Sequence, residues 1–82
     1  MENLGNLRAE IDALDGRIVE DLLKRMRVSR AIGEAKRATG AAVFDPAREE
    51  AILARLSREG GADAPGLARI YRTIFEVSRS LQ

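Results

Sequence analysis

Apolar residues recur at steps of three and four through Leu4, Leu7, Ile11, Leu14, Ile18 and Leu22, then at Val28 and Ile32, and no proline interrupts them. That spacing is the stripe of an amphipathic helix, and it predicts one rod over about Leu7–Lys36. A helix of about 30 residues is some 45 Å long. The chain has 82 residues, which makes one small domain with a radius of gyration near 12 Å and so a diameter of roughly 30 Å. The rod would overshoot such a globule and leave its stripe bare. A partner chain is the simplest remedy, and the expected assembly is a two-fold homodimer.

The stripe changes character along its length. Arg25, Ser29 and Lys36 continue the line that Leu14, Ile18 and Leu22 begin, where a surface helix would carry Leu or Ala. Arg25 and Lys36 lie 11 residues apart, which is roughly 20° of net rotation and about 16 Å of rise, so they share a face and can reach one small ligand from both ends. Arg8 precedes Arg25 by 17 residues, roughly 25 Å along the same axis. It cannot serve that ligand from the same helix. If it binds anything, it acts at a different site or in another chain.

The remaining sequence supplies two shorter helices. Met1–Asn6 reads as a polar lead-in, with Asn3 or Asn6 as the cap. Gly16 and Gly33 sit inside the rod, each costing about 1 kcal/mol against alanine. Both fit tolerated surface glycines, and Gly33 also fits close approach by a neighbouring helix or a ligand. Gly40 reads as a C-terminal cap, and Ala41–Phe44 as a short apolar connector. Asp45-Pro46 is a start signal, with aspartate as cap and proline at the first helical position. The second helix runs to about Arg58 with Ile52, Leu53 and Leu56 inward, and Gly60-Gly61 ends it. Asp63-Ala64-Pro65 repeats the start signal. The third helix carries Leu67, Ile70, Tyr71, Ile74, Phe75, Val77 and Leu81, with Ser78 and Gln82 following Ile74 on the same face. No segment alternates with period two. The expected fold is all-α, one domain over residues 1–82, with helices long, short and medium.

Composition narrows the chemistry. Fourteen basic against 13 acidic residues, a net charge of +1, is too balanced for a dedicated nucleic-acid binder. Cysteine and histidine are both absent, which removes thiolate chemistry, the commonest metal ligand and the commonest general base. No apolar run approaches the ~18 residues of a membrane span, and the opening residues do not form a signal peptide. The expected location is the cytoplasm. No nucleophile–base pair, metal cluster or glycine-rich phosphate loop is present.

What remains is a set of inward polar residues: Arg25 and Lys36 on the first helix, Arg48 and Glu49 at the start of the second, Ser78 and Gln82 on the third. Each has a plainer reading alone. Lys36 fits a snorkelling cation, Arg25 a surface pair with Asp21 or Glu20, and Arg48 and Glu49 solvated first-turn charges. Ser78 fits a bond back to the Ile74 carbonyl, and Gln82 a frayed end. Together, several cations with few anions point to a small molecule bearing carboxylates.

These residues also resemble a known family, the small all-helical chorismate mutases. The run from Leu7 and Arg8 to Asp15 is similar to that family's opening signature, and Gly33-Glu-Ala-Lys36 to its helix-end signature. Asp45 with Arg48-Glu49 resembles its second-helix start, and Ser78 with Gln82 its third-helix pair. The likeness covers nearly the whole chain. It implies an intertwined homodimer that rearranges chorismate to prephenate without a cofactor, a metal or a covalent intermediate. It also implies roles: Arg25 and Arg8 of the partner subunit clamp two carboxylates, and Lys36 and Gln82 donate to the ether oxygen. Arg48 and Ser78 assist at a carboxylate, and Asp45, through its backbone, and Glu49 hold the ring hydroxyl. Gly16 departs from the family's better helix former at that point and implies a softer first helix. Isochorismate–pyruvate lyase shares the fold and much of the cationic site, although Glu49 and Ser78 favour the mutase pattern. A non-catalytic helical dimerisation or regulatory module is the third alternative.

Overall fold

The computed structural model describes residues 3–82, and they form three helices: α1 (Leu4–Thr39), α2 (Pro46–Glu59) and α3 (Ala64–Leu81). No strand occurs among the described residues. The all-α, long–short–medium order is the one the periodicities predict. Met1 and Glu2, part of the expected lead-in, lie outside the described residues.

α1 is three residues longer at each end than the Leu7–Lys36 expectation, and its caps explain why. Asn3 is extended, and its side chain accepts the Asn6 N–H at 2.8 Å. That settles the cap in favour of Asn3 and starts the helix at Leu4. At the other end Gly40 takes φ +75°, and the Gly40 and Ala41 N–H groups both donate to the Lys36 carbonyl. The left-handed glycine stops the helix. Lys36 and Arg37 in the last turn meet the negative end of the helix dipole.

α2 starts at Pro46 as the Asp45-Pro46 signal predicts, with the Asp45 side chain accepting the Arg48 N–H at 3.0 Å. It ends at Gly60, and Gly61 at φ +55° turns the chain into a single 3₁₀ turn, Gly61–Asp63. Here the expectation of an Asp63 cap is corrected. Asp63 has φ −89° and ψ −3° and makes no side-chain capping bond. The 3₁₀ turn already feeds the chain into α3 through Asp63 N–H to Gly60 O and Ala64 N–H to Gly61 O, so α3 needs no separate start signal.

α3 packs against both other helices. The core is small: Ile52, Leu56 and Phe75 are buried, with Leu53 and Tyr71 against them. The Tyr71 and Phe75 rings meet edge to face, 5.9 Å between centroids. The chain measures 56 × 25 × 15 Å and has a radius of gyration of 16.1 Å, against about 12 Å for a compact globule of this length. The excess is α1. Its described residues through Asp21 are all exposed, and Leu7, Ile11, Leu14 and Ile18 are 42–57% exposed. Ile70, expected to face inward, is 59% exposed. It lines an open apolar groove of about 710 Å³ between α1 and α3, with Ile18, Leu22, Met26, Tyr71 and Ile74. No helix among the described residues is long and apolar enough to cross a membrane.

Gly40→Ala tests the stop signal. A side chain at φ +75° costs about 1–2 kcal/mol, so urea denaturation at fixed protein concentration should show a lower midpoint with an unchanged slope. An unaltered midpoint would mean that the left-handed cap contributes nothing.

Candidate active site

The site forms where α1 ends, α2 begins and α3 ends. Because Gly40 turns the chain sharply, the connector passes back over Lys36, and Lys36 Nζ donates to the Val43 carbonyl at 2.7 Å. The same Nζ donates to Gln82 Oε1, also at 2.7 Å. Gln82 reaches this position because position 33 has no side chain. A Cβ on Gly33 would lie 2.6 Å from Gln82 O and 2.7 Å from its Cα. Of the two readings of Gly33, close approach by a neighbouring helix is the one observed. Arg37 Nη1 then holds the Gln82 carbonyl at 2.6 Å, and the Gln82 N–H donates back to Ser78 O and Arg79 O.

From Gln82 the polar contacts continue inward. Its Nε2 lies 3.4 Å from Ser78 Oγ, and Ser78 Oγ shares a 2.7 Å hydrogen bond with Ser29 Oγ. Ser29 is only 2% exposed, so this pair satisfies both hydroxyls in the interior. Connector, α1 and α3 are thus joined by one line of polar contacts from Val43 O to Ser29.

These groups edge a cavity of about 270 Å³, close to the ~300 Å³ lower end of small-molecule sites. Arg25, Asp45, Arg48, Glu49, Ser78 and Gln82 line it, over an apolar wall of Val28, Ile32, Val43, Ile52 and Phe75. Lys36 stands at its edge through Gln82 and Val43. Seven of the eight sequence-predicted site residues therefore converge. Arg8 does not: it lies on the exposed, projecting half of α1.

The plainer readings give way at several positions. Glu20 pairs with Lys24 at 3.3 Å, while Arg25 faces the cavity. Ser78 bonds across to Ser29, and Gln82 is held by Lys36 and Arg37. Glu49 is not a solvated first-turn charge; its Oε2 accepts from Arg79 Nη1 at 2.5 Å.

Three contributors lie outside the inward polar set expected from the sequence. Ser29 stood on the Leu22–Lys36 line, so the signal existed. Arg79 and Phe44 gave none, because only the packing of α3 against α2 and the connector brings them together. The Arg79 guanidinium lies 5.3 Å from the Phe44 ring centroid.

The charge balance sets the chemistry. Arg25, Lys36, Arg48 and Arg79 face Asp45 and Glu49, an excess of two positive charges around one cavity. A dianion with hydrogen-bond acceptors between its charges would match. Among the described residues no three of His, Cys, Asp and Glu gather as metal ligands.

Comparison with known proteins gives the same direction. The family model for chorismate mutase type II matches residues 7–82, and the chain belongs to that family. It is 36% identical to the bifunctional chorismate mutase/prephenate dehydratase of Aquifex aeolicus over the whole of this chain, which spans 24% of that protein. It is 27% identical to the chorismate mutase of Methanocaldococcus jannaschii, over all of this chain and 86% of that one. It is 40% identical to the intracellular chorismate mutase of Mycobacterium tuberculosis over 79% of this chain and 61% of the other. Among solved structures, a conserved hypothetical protein from Pyrococcus furiosus superposes with a TM-score of 0.81 at 35% identity, covering 95% of this chain and 92% of that one.

Gly33→Ala should displace Gln82, since the new methyl would collide with backbone at 2.6–2.7 Å. Amide hydrogen exchange reads this: the Gln82 N–H and the last turn of α3 should lose protection while the core around Phe75 keeps it. Unchanged protection at Gln82 would show that the helices part without cost.

Proposed function

We propose that this chain rearranges chorismate to prephenate in the cavity between the three helices. The observation that carries this reading is the Lys36–Gln82 pair, 2.7 Å apart, at the edge of a cavity with an excess of two positive charges. In the reaction a carbon–carbon bond forms as the ether bond breaks, and no proton is transferred. Histidine, cysteine and metal ligands are not required. What the reaction needs is a compact conformer of the substrate and donors aimed at the oxygen that gains charge.

Lys36 has three N–H donors. Two are engaged by Val43 O and Gln82 Oε1, which aims the third at the ether oxygen. Gln82 Nε2 is the second donor. Arg25 and Arg48 bind carboxylates, with Ser78 beside them. Asp45, through its backbone, and Glu49 hold the ring hydroxyl. The same reading makes this a cytoplasmic enzyme of aromatic amino-acid biosynthesis.

Arg8 of the partner subunit completes the clamp. Two observations support a homodimer: the bare α1 stripe, and the groove of about 710 Å³ between α1 and α3. Arg25, Ser29 and Ser78 line both groove and cavity. An antiparallel α1 laid in that groove would carry its own Arg8 toward Arg25.

Mixing the purified protein with chorismate should give decay of the substrate's ultraviolet absorbance and formation of prephenate; no decay would reject the reading, and release of pyruvate would make the chain a lyase. Lys36→Ala should lower kcat by about 10²–10³ while circular dichroism stays unchanged. Near-normal turnover would reject the role of Lys36. For the shared site, Arg8→Ala and Lys36→Ala should each be nearly inactive. Refolded together in equal amounts, about half the dimers are mixed, and one of their two sites carries neither lesion. Activity should return to about one quarter of the unmutated protein, given independent sites in a two-fold dimer. Mixed dimers seen by mass spectrometry without recovered activity would mean that Arg8 is not contributed across the interface.

A further inference from the structure

We propose that Arg79 is a positioning residue: it fixes the Glu49 carboxylate as the acceptor that selects a hydroxyl-bearing ligand, and takes no part in binding the ligand's carboxylates. This inference rests on the proposed function and assigns a role to a residue outside the set read from the sequence.

Three segments meet at this point. Glu49 comes from the first turn of α2 and Arg79 from the last turn of α3, and they form an ion pair at 2.5 Å. Phe44, from the connector, lies against the guanidinium, 5.3 Å from ring centroid to Cζ. The planar cation is thus held between a carboxylate and an aromatic face, and both contacts favour arginine over lysine. The side chains of Arg79 and Glu49 are 33% and 21% exposed. At that depth an ion pair with fixed geometry is less screened than a surface one.

Glu49 poses a problem that Arg79 solves. A carboxylate lining a cavity meant for a dianion repels the ligand, and alone it would weaken binding. Paired with Arg79 through Oε2, its charge is offset, and its other oxygen, Oε1, can accept a hydrogen bond from a hydroxyl. The ion pair turns Arg79 Nη1 toward Glu49, which leaves Arg25 and Arg48 as the carboxylate binders. The arrangement therefore makes Glu49 a reader of hydroxyl groups. A ligand without one leaves Glu49 Oε1 without a hydrogen-bond partner, which is penalised more than a missing apolar contact.

The test compares Arg79→Gln, Glu49→Gln and the double variant on chorismate and on its analogue with hydrogen in place of the ring hydroxyl. Because the hydroxyl contact is made equally before and during the rearrangement, Arg79→Gln should raise KM for chorismate about tenfold with little change in kcat. The deoxy analogue is also a dianion, so the unpaired Glu49 should raise its KM too, but less than it raises that of chorismate, and in the Glu49→Gln background Arg79→Gln should change KM for either substrate by no more than about twofold. The double variant should be no worse than Glu49→Gln alone. Arg79→Lys should recover part of the loss, and if Arg79→Gln fails to fold, the smaller KM rise of Arg79→Lys, larger for the hydroxyl-bearing substrate and absent beside Glu49→Gln, carries the same test. Losses on both substrates that persist in the Glu49→Gln background would mean that Arg79 binds a carboxylate itself, and would overturn the inference, as would an unchanged KM. If the unmutated protein does not convert chorismate, the proposed function fails and takes this inference with it; an active protein with an insensitive Arg79 sinks this inference alone.

Discussion

A 36-residue helix in an 82-residue chain is the constraint on which everything else depends. At 1.5 Å per residue it is about 54 Å long, and it sets the 56 Å dimension of the molecule. α2 and α3 are too short to cover it, so they gather at its C-terminal half and build a core from Ile52, Leu56 and Phe75. The N-terminal half is left with a ladder of exposed Leu and Ile. Fully burying one such side chain is worth about 1.5–3 kcal/mol, so several in a row give a strong drive for another surface to cover them. The polar site and the bare stripe are two stretches of the same rod, and the change from Leu22 to Arg25 and Ser29 marks where one gives way to the other.

That division also explains how the site is held without a large core. Its polar groups are fixed by contacts between segments rather than by burial. Lys36 bridges the connector and α3, Ser29 bridges α1 and α3, and Arg79 bridges α2, α3 and the connector. Each of these links satisfies a group that would otherwise be costly in a partly buried place. Gly33 is the steric condition for the first of them and for the Arg37 bond to the Gln82 carbonyl, since any side chain there would keep Gln82 from Lys36 and Arg37.

Local signals made most of the fold legible. The three- and four-residue steps gave α1, the Asp45-Pro46 pair placed the start of α2 to the residue, and Gly40 marked the end of α1. Asp63-Ala64-Pro65 looked like another cap but is the tail of a 3₁₀ turn, because Gly61 had already reversed the chain. Apolar spacing put Ile70 on an inward face, yet that face is wider than the contact with α1, and Ile70 opens on the groove. In the site, residues at helical spacing on an inward face were readable: Arg25, Lys36, Ser78 and Gln82. Arg79 and Phe44 were not, since their meeting depends on how α3 crosses α2, and no spacing along the chain encodes that angle. Arg8 was readable as misplaced, and the single chain does leave it far from the cavity.

The surplus of two positive charges bears on stability as well as recognition. Arg25, Lys36 and Arg48 gather where no carboxylate of the chain neutralises them all, because Asp45 is engaged as a cap and Glu49 is taken by Arg79. Mutual repulsion at such a cluster opposes folding. It is tolerated because Val43 O and Gln82 Oε1 accept from the Lys36 ammonium and because much of the rim stays open to water. A dianion entering the cavity would replace that repulsion with attraction and, by binding the folded form, would stabilise it in proportion to its occupancy. Donors held in place before the ligand arrives cost no reorganisation during the reaction. The same preorganisation that sets these cations against one another is what would suit the cavity to the proposed rearrangement, whose barrier depends on shape and charge.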